Sequence, residues 1–247
     1  MKKESDVQPD EKCYGFLLMA YHSNKQYHEI VNTVEHIEEE NIRNNIFIRV
    51  QYMNALAKLG KYQDIEKEWN NILNEKIEFD SSALHAVLEG YANAGKFAEA
   101  TELLENMQSK YSIAPDVRTY TILISGYANR GLKDDAIRVL NEMKEKNIQP
   151  NPVTYSALIA GLAKTGNPEL GFFWLEKMEE EGVKPPLPAF KSLISRFVQT
   201  KQYGYIIRMN RILERLEKEK TLIFDKNTKN YLNSIISTSG VALNDIS

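Results

Sequence analysis

The sequence predicts an all-α fold: a right-handed α-solenoid of helix–turn–helix repeats about 35 residues long. Three observations lead there. Gly60, Gly95, Gly131 and Gly166 fall 35, 36 and 35 residues apart. Met107, Met143 and Met178 keep the same beat. So do the stops Ile113-Ala114-Pro115-Asp116, Ile148-Gln149-Pro150-Asn151 and Val183-Lys184-Pro185-Pro186. A fixed period in this range marks stacked copies of one small unit, each burying its apolar face against its neighbours.

Within the clearest unit, Tyr120, Leu123, Ile124 and Tyr127 recur at helical spacing, and Gly131 ends that run. Ala136, Val139, Leu140 and Met143 form a second apolar stripe. Asp134 and Asp135 sit at its start and Lys144 and Lys146 at its end, as the helix dipole favours. Pro150 blocks continuation and pushes the residue before it out of helical space.

Projecting this register gives units at 11–45, 46–80, 81–116, 117–151 and 152–186. Residues 187–236 read as a degenerate sixth unit with a capping helix over Tyr231–Ile236, and 237–247 as a frayed tail. Residues 1–10 read as a flexible start or, from Gln8-Pro9-Asp10, as the end of a preceding unit, which makes the chain a segment of a longer solenoid. The first two units lack the Pro, Lys25 replaces the first Gly, and the third unit holds one extra residue around Tyr111-Ser112.

Net charge is −3, so composition does not announce a nucleic-acid binder. The charge is uneven: residues 187–229 carry ten Lys or Arg against four acids, and residues 1–186 carry −8. Arg208, Arg211 and Arg215 share a helix face that would suit a phosphate chain or an acidic protein surface, against the plainer reading of a solvated face. The single cysteine, Cys13, forms no disulfide within the chain. No stretch approaches the ~20 apolar residues of a membrane span. His22, His28 and His36 lie on no common helix face, and His36-Ile37-Glu38-Glu39-Glu40 lacks the second His of a zinc-protease motif. Neither a phosphate-cradling Gly loop nor a Ser/His/Asp grouping is present, so the expectation is a non-enzyme without metal or cofactor.

Val117-Arg118-Thr119-Tyr120-Thr121-Ile122-Leu123-Ile124-Ser125-Gly126-Tyr127, followed by Gly131, Ala136, Met143 and Pro150-Asn151, resembles one P-type pentatricopeptide repeat. Val153-Thr154-Tyr155-Ser156-Ala157-Leu158-Ile159-Ala160-Gly161-Leu162 with Gly166, Met178 and Pro185 resembles the next. The match is strong over 81–186, fair over 11–80 and poor beyond 187. A tetratricopeptide repeat would open on Trp-x-x-Leu-Gly-x-x-Tyr; here Tyr-x-x-Leu-Ile-x-Gly opens the unit.

The resemblance implies single-stranded RNA binding, one base per repeat. It gives base reading to the residue after the repeat's Tyr and the last residue of the unit: Thr121 with Asn151, a pair the family links to adenine. His85/Asp116 and Ser156/Pro186 are less clear, while Gly15/Asn45 and Val50/Asp80 offer little. It gives stacking to Arg118, Val153 and Phe47, and phosphate contacts to Lys58 and Lys164. Tyr14, Tyr120, Tyr155 and Phe190, at one repeat position, read as packing, as do the methionines, Trp69 and Trp174.

The expected function is a non-catalytic RNA-binding adaptor in mitochondrial RNA processing, stability or translation, with no membrane or DNA partner. The compartment comes from the resemblance alone. The alternative is a protein-interaction scaffold or structural subunit of a ribonucleoprotein such as a mitochondrial ribosome, favoured by the acidic body and the incomplete reading pairs.

Overall fold

The computed structural model describes residues 9–37 and 40–219, together with Asn230 and Ser234. Apart from those two residues, the expected capping helix, the tail and the end of the sixth unit lie outside the described residues. Thirteen helices and no strand occur among them. The chain divides into two compact units, Met1–Pro115 and Asp116–Ser247.

The first unit holds α1 (Glu11–Ser23), α2 (Tyr27–Glu35), α3 (Glu40–Arg43), α4 (Ile46–Leu59), α5 (Tyr62–Asn74), α6 (Ser81–Ala94) and α7 (Phe97–Ser109). Helix α4 is its centre, packed on α1, α2, α5 and α6. The single turn α3 is not part of the expected helix–turn–helix unit; it fills the path from α2 to α4, and Ile42 in it is buried.

The second unit holds α8 (Val117–Asn129), α9 (Lys133–Glu145), α10 (Pro152–Lys164), α11 (Pro168–Glu180), α12 (Leu187–Gln199) and α13 (Tyr203–Lys218). Here α10 packs on α8, α11 and α12. In both units, then, the first helices of successive pairs lie against one another.

Five of the first helices start on a side-chain cap. Asp10, Asn45, Asp80, Asp116 and Asn151 accept backbone N–H bonds from the first turns of α1, α4, α6, α8 and α10. Such a cap satisfies donors that the helix cannot, and contributes about 1 kcal/mol. Pro186 precedes α12 and supplies no side-chain cap.

A left-handed residue follows each first helix, and a second one follows α5, α7, α9 and α11. The first set is Lys25, Gly60, Gly95, Gly131, Gly166 and Lys201, all at positive φ. The second is Lys76, Ser112, Asn147 and Gly182. After α5, α9 and α11 the turn closes with a bond five residues back, as from Ile148 N to Met143 O. After α7 the bond runs from Ile113 N to Met107 O, six residues back. The extra residue of that unit is therefore absorbed in this turn, without shifting the register of the helices.

The core is the expected apolar set. Met107, Met143, Met178, Tyr120, Tyr155 and Phe190 are fully buried, and Trp69 and Trp174 nearly so. Tyr155 donates its hydroxyl to Glu181, and Lys144 closes on the same carboxylate at 2.6 Å. Arg49 stands at the repeat position of Tyr120 and Tyr155, 5% exposed, and reaches Glu75 at 2.6 Å and Glu68 at 3.1 Å. Helices α8 and α10 approach so closely that a Cβ on Gly161 would meet the carbonyl carbon of Ala128 at 2.8 Å.

Two stability predictions follow from this geometry. Lys201 pays the left-handed cost that a Gly avoids, so Lys201→Gly raises stability by about 1 kcal/mol in chemical denaturation. Gly161→Ala forces α8 and α10 apart and lowers it by about 1–3 kcal/mol; an unchanged midpoint for the alanine variant would refute the close approach.

Candidate nucleic-acid interface

The expected reading residues occupy the starts of the first helices. Arg118 is exposed at the second position of α8, and Val153, 64% exposed, at the second position of α10. An apolar side chain standing so far into water at a helix start offers a face for a flat ring. Phe47, 41% exposed, holds the same place on α4 in the first unit.

Thr121 and Asn151 are brought together through a third residue. The Thr121 hydroxyl lies 2.7 Å from Val117 O and 2.8 Å from the Thr154 hydroxyl. Thr154 in turn lies 3.1 Å from Asn151 Oδ1. Asn151 Oδ1 also accepts from the backbone N–H groups of Val153 at 2.9 Å and Thr154 at 3.0 Å. An Asn side chain can donate and accept at once, which suits an adenine edge. The Asn151 oxygen is instead committed to the cap of α10, and the amide nitrogen is what it has left to offer. The sequence carried this signal: Asn151 precedes Pro152 and stands three residues before Thr154, a helix-start pattern.

The other reading positions fare differently. Asp116 accepts from Thr119 N and from the Thr119 hydroxyl, both at 2.9 Å, so it too caps its helix. His85 is only 3% exposed on α6. Ser156 is half-buried, and its hydroxyl lacks a hydrogen-bond partner among the described residues. Of the two phosphate positions, Lys58 is engaged by Glu89 across α4 and α6. Lys164 is exposed at the end of α10.

The basic face of α13 is not an open anion site. Arg208 binds Glu176 at 2.7 Å and lies over Phe172, 4.7 Å from the ring centre; Arg215 binds Glu179. Both carboxylates belong to α11, so these arginines fasten α13 to its neighbour. A polar pocket in the first unit, lined by Glu35, Arg49, Tyr52, Asp64 and Glu68, is likewise internally matched. Tyr52 donates to Glu35 at 3.2 Å, and burial together with that carboxylate holds its hydroxyl well above the ordinary tyrosine range. Among the described residues no His/Cys/Asp/Glu group could hold a metal ion, and no helix is long and apolar enough to cross a membrane.

Comparison with known proteins fits this geometry. The model of the PPR repeat family matches residues 80–129 and 115–164, and that of the pentatricopeptide repeat domain matches 146–200. Three Arabidopsis thaliana proteins illustrate the likeness. The chloroplastic pentatricopeptide repeat-containing protein At5g48730 is 30% identical over 40% of this chain and 20% of its own length. The mitochondrial protein At2g18520 is 23% identical over 59% of this chain and 34% of its own length. The small ribosomal subunit protein mL103 (rPPR7) is 22% identical over 59% of this chain and 35% of its own length. The chain thus aligns with between a fifth and about a third of these relatives. Among solved structures, PPR10 in complex with an 18-nt PSAJ RNA element superposes with a TM-score of 0.70 at 19% identity, over 95% of this chain and 32% of PPR10. That likeness carries the fold: an α-solenoid of helical pairs. Residues 80–200 of this protein, which the family models span, are pentatricopeptide repeats.

Proposed function

We propose that the chain binds single-stranded RNA as a non-catalytic adaptor in an organelle, the mitochondrion foremost, in RNA processing, stability or translation. The observation that carries this is the arrangement on α8 and α10. Arg118 and Val153 stand exposed at equivalent positions of two helices packed side by side, and Thr121 and Asn151 are tied together next to them. A base held between an Arg plane and an apolar side chain stacks on both, while its edge meets a hydroxyl and an amide. The proposed repeats 117–151 and 152–186 supply this site. Lys164 faces the backbone as its phosphate contact. Relatives bearing chloroplastic and mitochondrial names support an organelle, and the PPR10 complex supports RNA as ligand. Nothing in the described residues assembles a catalytic group.

A second reading, a scaffold or structural subunit of a ribonucleoprotein, has its own support. Lys58 is occupied by Glu89 and His85 is buried, which leaves α4 and α6 poor in free reading groups. One relative is itself named as a small ribosomal subunit protein.

Fluorescence anisotropy against a pool of short single-stranded RNA separates the two. The RNA-binding reading expects saturable binding that Arg118→Ala weakens by roughly 1–3 kcal/mol. Asn151→Asp keeps the helix cap but removes the amide donor; it should change base preference while the melting temperature holds. Absence of binding at about 10–50 μM protein, a range weaker than specific single-strand recognition needs, would favour the scaffold. A pull-down with and without ribonuclease then shows whether a protein partner is held directly.

Ionic strength gives an independent check. With Lys164 free and Lys58 paired, one or two phosphates are neutralised. The plot of log K against log salt should then have a slope of about −0.7 to −1.4. A slope several times steeper would mean that the backbone is held elsewhere.

A further inference from the structure

We infer that Thr154 is a positioning residue that holds the Thr121 and Asn151 side chains in one fixed arrangement for base reading. The inference rests on the RNA-binding reading and deepens it. Thr154 is fully buried in the first turn of α10 and meets neither solvent nor a ligand. Its single hydroxyl oxygen touches both reading groups, at 2.8 Å from Thr121 Oγ1 and 3.1 Å from Asn151 Oδ1.

Three oxygen–oxygen contacts form the chain: Val117 O to Thr121, Thr121 to Thr154, and Thr154 to Asn151 Oδ1. The two hydroxyls supply two protons for them. Thr121 donates to Val117 O or to Thr154, so its proton points inward and its lone pairs face an incoming base. Asn151 Oδ1 accepts from the α10 backbone N–H groups, so the Asn151 amide offers its N–H groups. The Thr154 oxygen thus ties the two reading side chains together without touching RNA.

The caps elsewhere show what this adds. Asn45 and Asp80 cap α4 and α6 with no hydroxyl three residues on, since Ile48 and Ala83 stand there. Those caps carry no link to a preceding reading residue of the kind seen at Asn151.

The test uses the whole chain and four nine-nucleotide strands of uridine that differ in carrying A, C, G or U at the centre. The parent should separate the four bases. Thr154→Val keeps the buried branched shape but removes the hydroxyl that joins the two reading side chains; the ratio between best and worst base should fall about fivefold or more. Thr154→Ser should restore it. A structural role alone would lower the melting temperature of Thr154→Val and leave the ratio intact, and that result would overturn the inference. Loss of discrimination in the parent itself would instead overturn the RNA-binding reading, and the inference with it. A readout without RNA stands beside these. The side-chain amide signals of Asn151 in the free protein should move in Thr154→Val and return in Thr154→Ser, and unchanged signals would count against the lock.

Discussion

Five of the first helices, α1, α4, α6, α8 and α10, begin on the side-chain oxygen of the residue that ends the preceding turn, and the site is built around that constraint. An α-helix opens with backbone N–H groups that nothing inside it can satisfy. Asp10, Asn45, Asp80, Asp116 and Asn151 meet this need with Oδ1. The same residue type is the one assigned to base reading. One atom of each such side chain therefore belongs to the fold, and only what remains belongs to a ligand. For Asn151 that remainder is an N–H donor. Pro186 has neither: α12 starts without a side-chain cap, and the position carries no hydrogen-bonding group. On the proposed reading, helix capping and base choice thus share one side chain, and a substitution that keeps the capping oxygen can change the second without the first.

The turns impose a second constraint, independent of any ligand. After each first helix the chain takes a left-handed residue, whether or not that residue is Gly. Lys25 and Lys201 adopt positive φ because the second helix must fold back onto its partner, and the packing energy of the pair exceeds the ~1–2 kcal/mol that a side chain adds there. The glycines of the sequence period mark where this turn is relaxed; the lysines mark where it is made against local preference.

The period of the glycines, methionines and prolines made the fold class legible, because the turn and the buried stripe both fall on residue types with strong physical preferences. The buried role of Tyr120, Tyr155 and the methionines was legible for the same reason. Other features were not. The turn α3 has no periodic signal, being four residues placed by Ile42. Arg49 in the tyrosine position is a core residue only because Glu68 and Glu75 answer it, and their approach depends on tertiary packing. The burial of His85 and the occupation of Lys58 by Glu89 likewise depend on the neighbouring pair of helices. The link from Thr121 through Thr154 to Asn151 spans 33 residues at its first step. A reading made within one unit cannot find it, since the bridging residue belongs to the next.

That same displacement of about one unit changes how the charge should be counted. Along the sequence a basic end follows an acidic body. In space the ions meet across neighbouring helical pairs: Lys58 with Glu89, Lys144 with Glu181, Arg208 with Glu176, Arg215 with Glu179. Each partner lies 31 to 37 residues away. Exposed pairs of this kind contribute little stability one by one, but each removes a cation from the pool that could hold phosphate. A linear sum of charge thus overstates the basic end by these arginines and the acidic body by the carboxylates that neutralise them. On the proposed RNA-binding reading, affinity would come mainly from stacking at Arg118 and Val153 and from the hydrogen bonds of Thr121 and Asn151, groups whose contribution salt does not screen away. A surface of that kind trades long-range attraction for discrimination at short range, and its performance depends on how firmly those few groups are held.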